Sequence, residues 1–136
     1  MSGETNLSKL LSNMEPVLHK NRYVFVTVPH SYEIDFSIVH GTFKEDEGVT
    51  LVLKKEHADR SNLTYDFVAS CITLTVHSAL HAIGLTSAIS TALANDKISC
   101  NVIAAYYHDH IFVEEKDAEK AIKVLLKLTN AYNLKK

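Results

Sequence analysis

The chain is poor in cysteine, proline and glycine and lacks tryptophan. Its 136 residues include two cysteines, two prolines, four glycines and no tryptophan. Two cysteines are too few for a disulfide framework, and both Cys71 and Cys100 begin apolar stretches, so we expect buried, reduced thiols. Four scattered glycines suit no phosphate-cradling loop, and the sequence has neither a G-x-S-x-G elbow nor an H-E-x-x-H pair. These absences predict a protein that is not an enzyme.

The charges exclude two further classes of partner. The net charge is -2, and no block of lysine and arginine forms the basic surface that a nucleic acid or an anionic membrane attracts. No segment approaches the roughly 20 apolar residues of a membrane span, and the N-terminus lacks the basic and apolar regions of a secretory signal. We therefore expect a cytoplasmic protein without nucleic-acid or membrane partners.

Hydrophobic residues make up 46% of the chain, which is enough for a core, and their spacing predicts the elements of the first half. A short amphipathic helix is predicted by apolar residues that recur on one helix face: Leu7, Leu10, Leu11 and Met14. Runs of β-branched and aromatic residues predict three strands, over 22–28, 36–43 and 49–53. The segment 55–67 has no strong period and predicts a helical turn or two.

The second half has a clearer pattern. The segment 71–77 alternates apolar and polar residues, which predicts a strand half-buried against helices. Apolar residues with helical spacing follow Gly84, and strands are predicted over 98–107 and 111–114. A last helix is predicted to begin among the acidic residues of 114–117, where negative charge suits the helix dipole. The order of elements is β-α-β-β-α.

This order lacks only the final strand of a ferredoxin-like β-α-β-β-α-β unit. Since the chain ends in polar residues, the missing strand must come from the first half. We predict an α+β protein with helices on one face of its sheet. Either N-terminal strands complete or extend that sheet, or two half-similar units, 1–68 and 69–136, pack into one sheet.

A polar group of three residues, His108, Asp109 and His110, interrupts the apolar run near the end of the predicted sheet. Alternate residues of a strand share a face, so the two histidines could bind one metal ion, with His77 or Asp109 as a candidate third ligand. The other interpretation is a hairpin corner, in which Asp109 caps turn amides and the histidines are hydrogen-bonded or half exposed. Contact with a ligand or a partner is a third possibility.

The segments "EGVTLVLKK", "ITLTVHSALHAIGLTSAIS" and "ISCNVIAAYYHDHIFV" closely resemble the ACT domain family, and in particular a small bacterial group of stand-alone ACT-like proteins. The resemblance covers nearly the whole chain. It implies an ACT-like N-terminal half over 1–68 and a C-terminal ACT domain over 69–136. It further implies a regulatory module that binds a small effector, typically an amino acid, with no cofactor, and that forms a homodimer.

In this family the effector lies between the loop after a domain's first strand and a neighbouring domain or subunit. Carried onto this chain, the resemblance implies a ligand site at Gly84, Leu85, Thr86 and Ser87, with Asn101 on the next strand. The chemistry agrees, because glycine admits a ligand close to the backbone and the first N–H groups of a helix can bind a carboxylate. Asparagine offers both a donor and an acceptor. Many regulatory ACT domains have Pro-Gly at this loop, whereas this chain has isoleucine before the glycine.

Two other functions compete with effector binding. One is a metal-binding protein that uses the polar group at 108–110. The other is an interaction module that binds no ligand and pairs its sheet with another protein.

Overall fold

The helices and strands follow the predicted order. A computed structural model describes residues 3–134 of the chain. Its strands are β1 (Pro16–Val28), β2 (Val39–Lys44), β3 (Val49–Lys54), β4 (Val68–Leu74), β5 (Asn101–Ala104) and β6 (Asp109–Glu114). Its α-helices are α1 (Leu7–Asn13), α2 (Lys55–Arg60), α3 (Leu85–Asn95) and α4 (Ala118–Leu134), and a short 3-10 turn over Glu115–Asp117 leads into α4. Within 3–134, no helix has the length and apolarity to cross a membrane.

The strands form one six-stranded antiparallel sheet in the order β2-β3-β1-β4-β6-β5. The central pair, β1 and β4, joins the two halves of the chain. Pro16 of β1 pairs with Leu74 at one end of β4, and Val24 pairs with Val68 at the other, with a register shift between them. This pairing confirms that an N-terminal strand completes the ferredoxin-like sheet. The predicted boundary between residues 68 and 69 falls at the start of β4 and stays a prediction.

The helices lie on one face of the sheet, over its main core. In β4, Ile72 and Leu74 point to this face, as the alternating pattern predicted. They pack with buried residues of the helices, among them Leu11 of α1, Ile89 of α3 and Leu125 of α4. A neighbouring cluster, centred on Val24, Val26, Val28, Leu51, Leu53 and Ala58, continues this face under α2.

The opposite face is called the open face here, because no helix of residues 3–134 packs on it. It is nevertheless apolar at its centre. Its buried apolar residues all come from strands: Tyr23, Val52, Ala69, Cys71 and Phe112. Phe112 is only 2% exposed, because the rings of Tyr23 and Phe25 stand edge-on against it at 6.0 and 5.3 Å. Both faces of the central strands are therefore buried.

Several element boundaries differ from those predicted. β1 begins at Pro16, six residues before the predicted start at 22, because its first residues pair with β4. The strand predicted over 98–107 is only Asn101–Ala104, and β6 already begins at Asp109. Hence the hairpin turn occupies 105–108, where the Ala105 N–H donates to the His108 carbonyl at 3.1 Å. Pairing with a neighbouring strand, rather than local composition, decides where these strands begin and end.

Candidate functional site

The loop between β4 and α3 ends at Gly84, which has the left-handed conformation, with φ at 100°. A Cβ atom there would be strained and would lie 3.0 Å from Leu7 of α1, so the position requires glycine. Gly84 is the N-cap of α3, and no side chain caps the helix. The first-turn N–H groups have no helical partner, and Thr86 and Ser87 are exposed. Leu85 is buried in the helix-side core, so it could offer only its backbone.

Residues 3 and 4 pack against the first part of this loop, residues 77–79. The Glu4 N–H donates to the His77 carbonyl at 2.8 Å, and the Ala79 N–H donates to the Glu4 carbonyl at 3.0 Å. Gly3 lies so close to this backbone that a Cβ atom would be 2.6 Å from the Ala79 nitrogen. Backbone hydrogen bonds to Glu4 thus hold the first part of the loop in place.

A small hollow of about 140 Å³ lies beside this loop, between His77, Leu80 and Tyr106. The His77 ring contacts the rings of Tyr106 and Tyr107, with centroids 6.1 and 5.3 Å away, which connects the loop to the hairpin turn. Leu80 and Ile83 expose their apolar side chains, and Ile83 is 86% exposed. Sequence reasoning did not select the two tyrosines as site residues, although consecutive aromatic residues before a turn are a usable signal.

Asn101 lies elsewhere. It pairs with Phe112 on the open face, and its Nδ2 donates to the Phe112 carbonyl at 3.4 Å. Gly84, in contrast, lies on the helix side against Leu7. The structure therefore does not bring Asn101 and the Gly84 loop together within one copy of the chain.

The three polar residues at 108–110 are engaged separately. Asp109 is 8% exposed and belongs to β6, where it accepts a hydrogen bond from Ser78 at 3.2 Å instead of capping the turn. The Nδ1 atom of His108 is 3.4 Å from the Val76 carbonyl, and the His108 and His110 rings are 6.5 Å apart. Among residues 3–134, no three His, Cys, Asp or Glu side chains are placed to hold a metal ion. The metal hypothesis thus lacks a ligand set in this part of the chain.

His110 belongs instead to a hydrogen-bond network of three side chains on the open face. The Thr73 hydroxyl lies 2.6 Å from Nε2 of His19 and 2.9 Å from Nδ1 of His110, and so links the two rings. Burial lowers the pKa of His110, and the neighbouring His108, His19 and His40 lower it further, so the ring is neutral near pH 7. Neither His19 nor His40 lies in a motif that predicts a role from the sequence.

Comparison with known proteins decides the family. One ACT domain family model matches residues 2–70, and a second matches residues 67–127. The chain belongs to the ACT domain family. The two matches overlap at the start of β4, a strand that pairs with both halves of the sheet. ACT domains are small-molecule-binding regulatory modules, so family membership supports that general role.

Solved structures agree with this assignment. A protein of unknown function from Vibrio cholerae, described as a possible transport protein, is 46% identical over 90% of this chain and 95% of its own, with a TM-score of 0.81. A protein from Agrobacterium tumefaciens is 19% identical over 85% of this chain and 89% of its own, with a TM-score of 0.68. The ligand-free regulatory subunit of aspartate kinase from Thermus thermophilus is 8% identical over 87% of this chain and 97% of its own, with a TM-score of 0.63. The last two share the fold. No curated protein sequence matches the chain.

Proposed function

We propose that this ACT-domain protein is a regulatory module that binds an amino acid, with the effector's carboxylate at the N-terminus of α3. The observation that carries the proposal is the uncapped first turn of α3 after a left-handed glycine. Its N–H groups and the helix dipole favour a carboxylate. The exposed hydroxyl groups of Thr86 and Ser87 can contribute further hydrogen bonds. The protein acts by binding, and not as an enzyme.

A neighbouring surface supports the regulatory part of the proposal. Leu80 and Ile83 expose apolar side chains next to the α3 N-terminus. A second copy of the chain that covers these residues would close the effector site from outside, and the protein would then work as a homodimer. An effector bound at such an interface shifts the equilibrium between two assembly states, because it binds one of them more tightly. The regulatory subunit of aspartate kinase, which has the same fold, is a precedent for a regulatory chain of this size.

The test is thermal unfolding of the protein with each standard amino acid. An effector at a hundred times its dissociation constant adds about 2.7 kcal/mol to the free energy of unfolding. For a domain of this length, that corresponds to an increase in melting temperature of roughly 10 °C. A selective increase for one amino acid or a few related ones is expected. No shift with any of them would contradict the proposal.

A charge substitution tests the location. Ser87→Asp places a carboxylate in the first turn of α3, where it stabilises the helix by about 0.3–1 kcal/mol but repels an effector carboxylate. We expect a more stable protein with a smaller effector response. Thr91→Asp, also exposed and in the middle of α3, is the matched control and should keep the response. If Ser87→Asp binds the effector as well as the original chain does, the site is elsewhere.

A further inference from the structure

The open face contains a hollow that the Gly84 loop does not contribute to. β2 and β5 are the two edge strands of the sheet, and five strand spacings would separate them by about 24 Å in a flat sheet. Yet His40 and Gly41 of β2 and Ile103 of β5 line the same hollow of about 180 Å³. The sheet is therefore coiled so strongly that its edges approach each other across the open face.

The floor of this hollow is apolar. Val52 and Phe112, both buried, form it, and Phe112 is held by edge-on contacts with Tyr23 and Phe25. A cavity of about 150 Å³ lined by apolar side chains is large enough for benzene. The open-face hollow can therefore hold an aromatic ring or a branched aliphatic group of similar size.

Two imidazoles, those of His40 and His110, also line the hollow. His40 packs against Tyr23 with ring centroids 4.8 Å apart, and no hydrogen bond engages its nitrogens within residues 3–134. His110 uses Nδ1 for Thr73, while its Nε2 has no partner in the described chain. Since no fully buried polar side-chain atom there lacks a partner, Nε2 must be accessible to solvent. Both rings thus have nitrogens left to bind a ligand.

The hydrogen-bond network of His19, Thr73 and His110 fixes the orientation of the His110 ring. The Thr73 hydroxyl has one proton, so between two neutral rings it donates to one and accepts from the other. When His19 donates to Thr73 and Thr73 donates to Nδ1 of His110, Nε2 of His110 carries the proton and is a donor. A protonated His110 is a donor at Nε2 in every arrangement. In the opposite arrangement of the neutral rings Nε2 is an acceptor, so an incoming carboxylate selects the arrangement in which Nε2 is the donor.

The charges around the hollow indicate which acceptor fits. Its lining includes no Asp, Glu, Lys or Arg. His110 is surrounded by the imidazoles of His19, His40 and His108, and only Asp109 opposes their effect. Cys71, the remaining titratable group on this face of β4, is held neutral because burial raises its pKa to about 11. Burial, His19 and Lys54 likewise lower the pKa of His40. The lining therefore offers imidazole hydrogen bonds to a carboxylate and has no acidic side chain to repel it.

We propose that the open-face hollow is a second ligand site, which takes a small carboxylic acid with an aromatic or branched apolar body. The carboxylate lies against His40 and His110, and the body lies on Val52 and Phe112. The site is separate from the α3 N-terminus and does not depend on the proposal made for it. A ligand there would also bridge β2 and β5, one strand from each half of the chain.

The test compares two probes of the same shape, phenylacetate and the neutral phenylacetamide, by NMR of the histidine rings. Phenylacetate should shift the His40 and His110 signals saturably and bind about tenfold more tightly than the amide, because charge-assisted hydrogen bonds exceed neutral ones by that margin. His40→Gln and His110→Gln should each abolish this preference. His40 is exposed, so its variant is expected to fold. His30→Gln, an exposed histidine elsewhere, is the matched control and should keep the preference.

Three results would overturn the proposal. The first is the absence of a saturable shift, and the second is equal affinity for the two probes. The third is a change of the His40 and His110 signals when the protein is diluted, with no change when phenylacetate is added. That result would mean that a second copy of the chain covers the hollow. Ser87→Asp separates this site from the one at α3, because it should leave phenylacetate binding unchanged.

Discussion

The Thr73 hydroxyl offers the sharpest test of the open-face arrangement. Thr73 is 7% exposed, and its hydroxyl bonds the rings of both His19 and His110. Thr73→Val keeps the shape of the side chain and removes both hydrogen bonds. Each bond contributes about 0.5–1.5 kcal/mol, and the two half-exposed rings can recover part of this from water. We expect a loss of roughly 1–2 kcal/mol in the free energy of unfolding.

The assay is thermal unfolding at neutral pH. An unfolding entropy of about 2.1 cal/mol/K per residue converts this loss into a decrease in melting temperature of roughly 3–7 °C. Thr73→Ser is the control, because it keeps the hydroxyl and removes the methyl group. Strand propensity alone ranks valine above serine. A serine variant more stable than the valine variant would therefore demonstrate the hydrogen bonds, and the reverse order would refute this reasoning.

Two further predictions concern acid and glycine. Because burial lowers the pKa values of His110 and His40, the unfolded chain binds more protons than the folded one just below the ordinary histidine pKa of about 6.5. The free energy of unfolding should thus be highest above that pH and decrease as the pH falls through the folded-state pKa. His110→Gln should make the melting temperature fall less over this pH range. An equal fall in the variant and the original chain would contradict the prediction. Gly84→Ala should cost about 1–2 kcal/mol in chemical denaturation, because its φ is positive and Leu7 is close. Gly41→Ala, whose new Cβ has no atom within 4 Å beyond its own residue and the two adjacent ones, should change stability little. Equal losses at both positions would exclude backbone strain as the cause.

Much of the architecture was predictable from local patterns. The structure confirms that Ile72 and Leu74 lie on the helix side of β4, as the alternation predicted, and that a helix follows Gly84. Both periods are properties of the local sequence, so neither prediction needed the tertiary structure. The need for an N-terminal strand was also predictable, since the second half had one strand too few for a ferredoxin-like unit. Hairpin positions were less predictable. Asp109 was predicted to cap turn amides, yet it pairs with Leu74 inside the sheet and accepts a hydrogen bond from Ser78.

The sequence by itself determined the order of elements, the helix-side core and the glycine before α3, because these depend on periodicity and on backbone conformation. The resemblance of its segments to ACT domains indicated the family, which the family models confirm. Only the tertiary structure separated Asn101 from the Gly84 loop and joined His19, Thr73 and His110. Each of these three residues comes from a different strand, and no local pattern distinguishes a clustered histidine from a solvated one. Their meeting depends on the pairing of β1, β4 and β6 and on the register shift in β1, which are contacts between residues far apart in the chain.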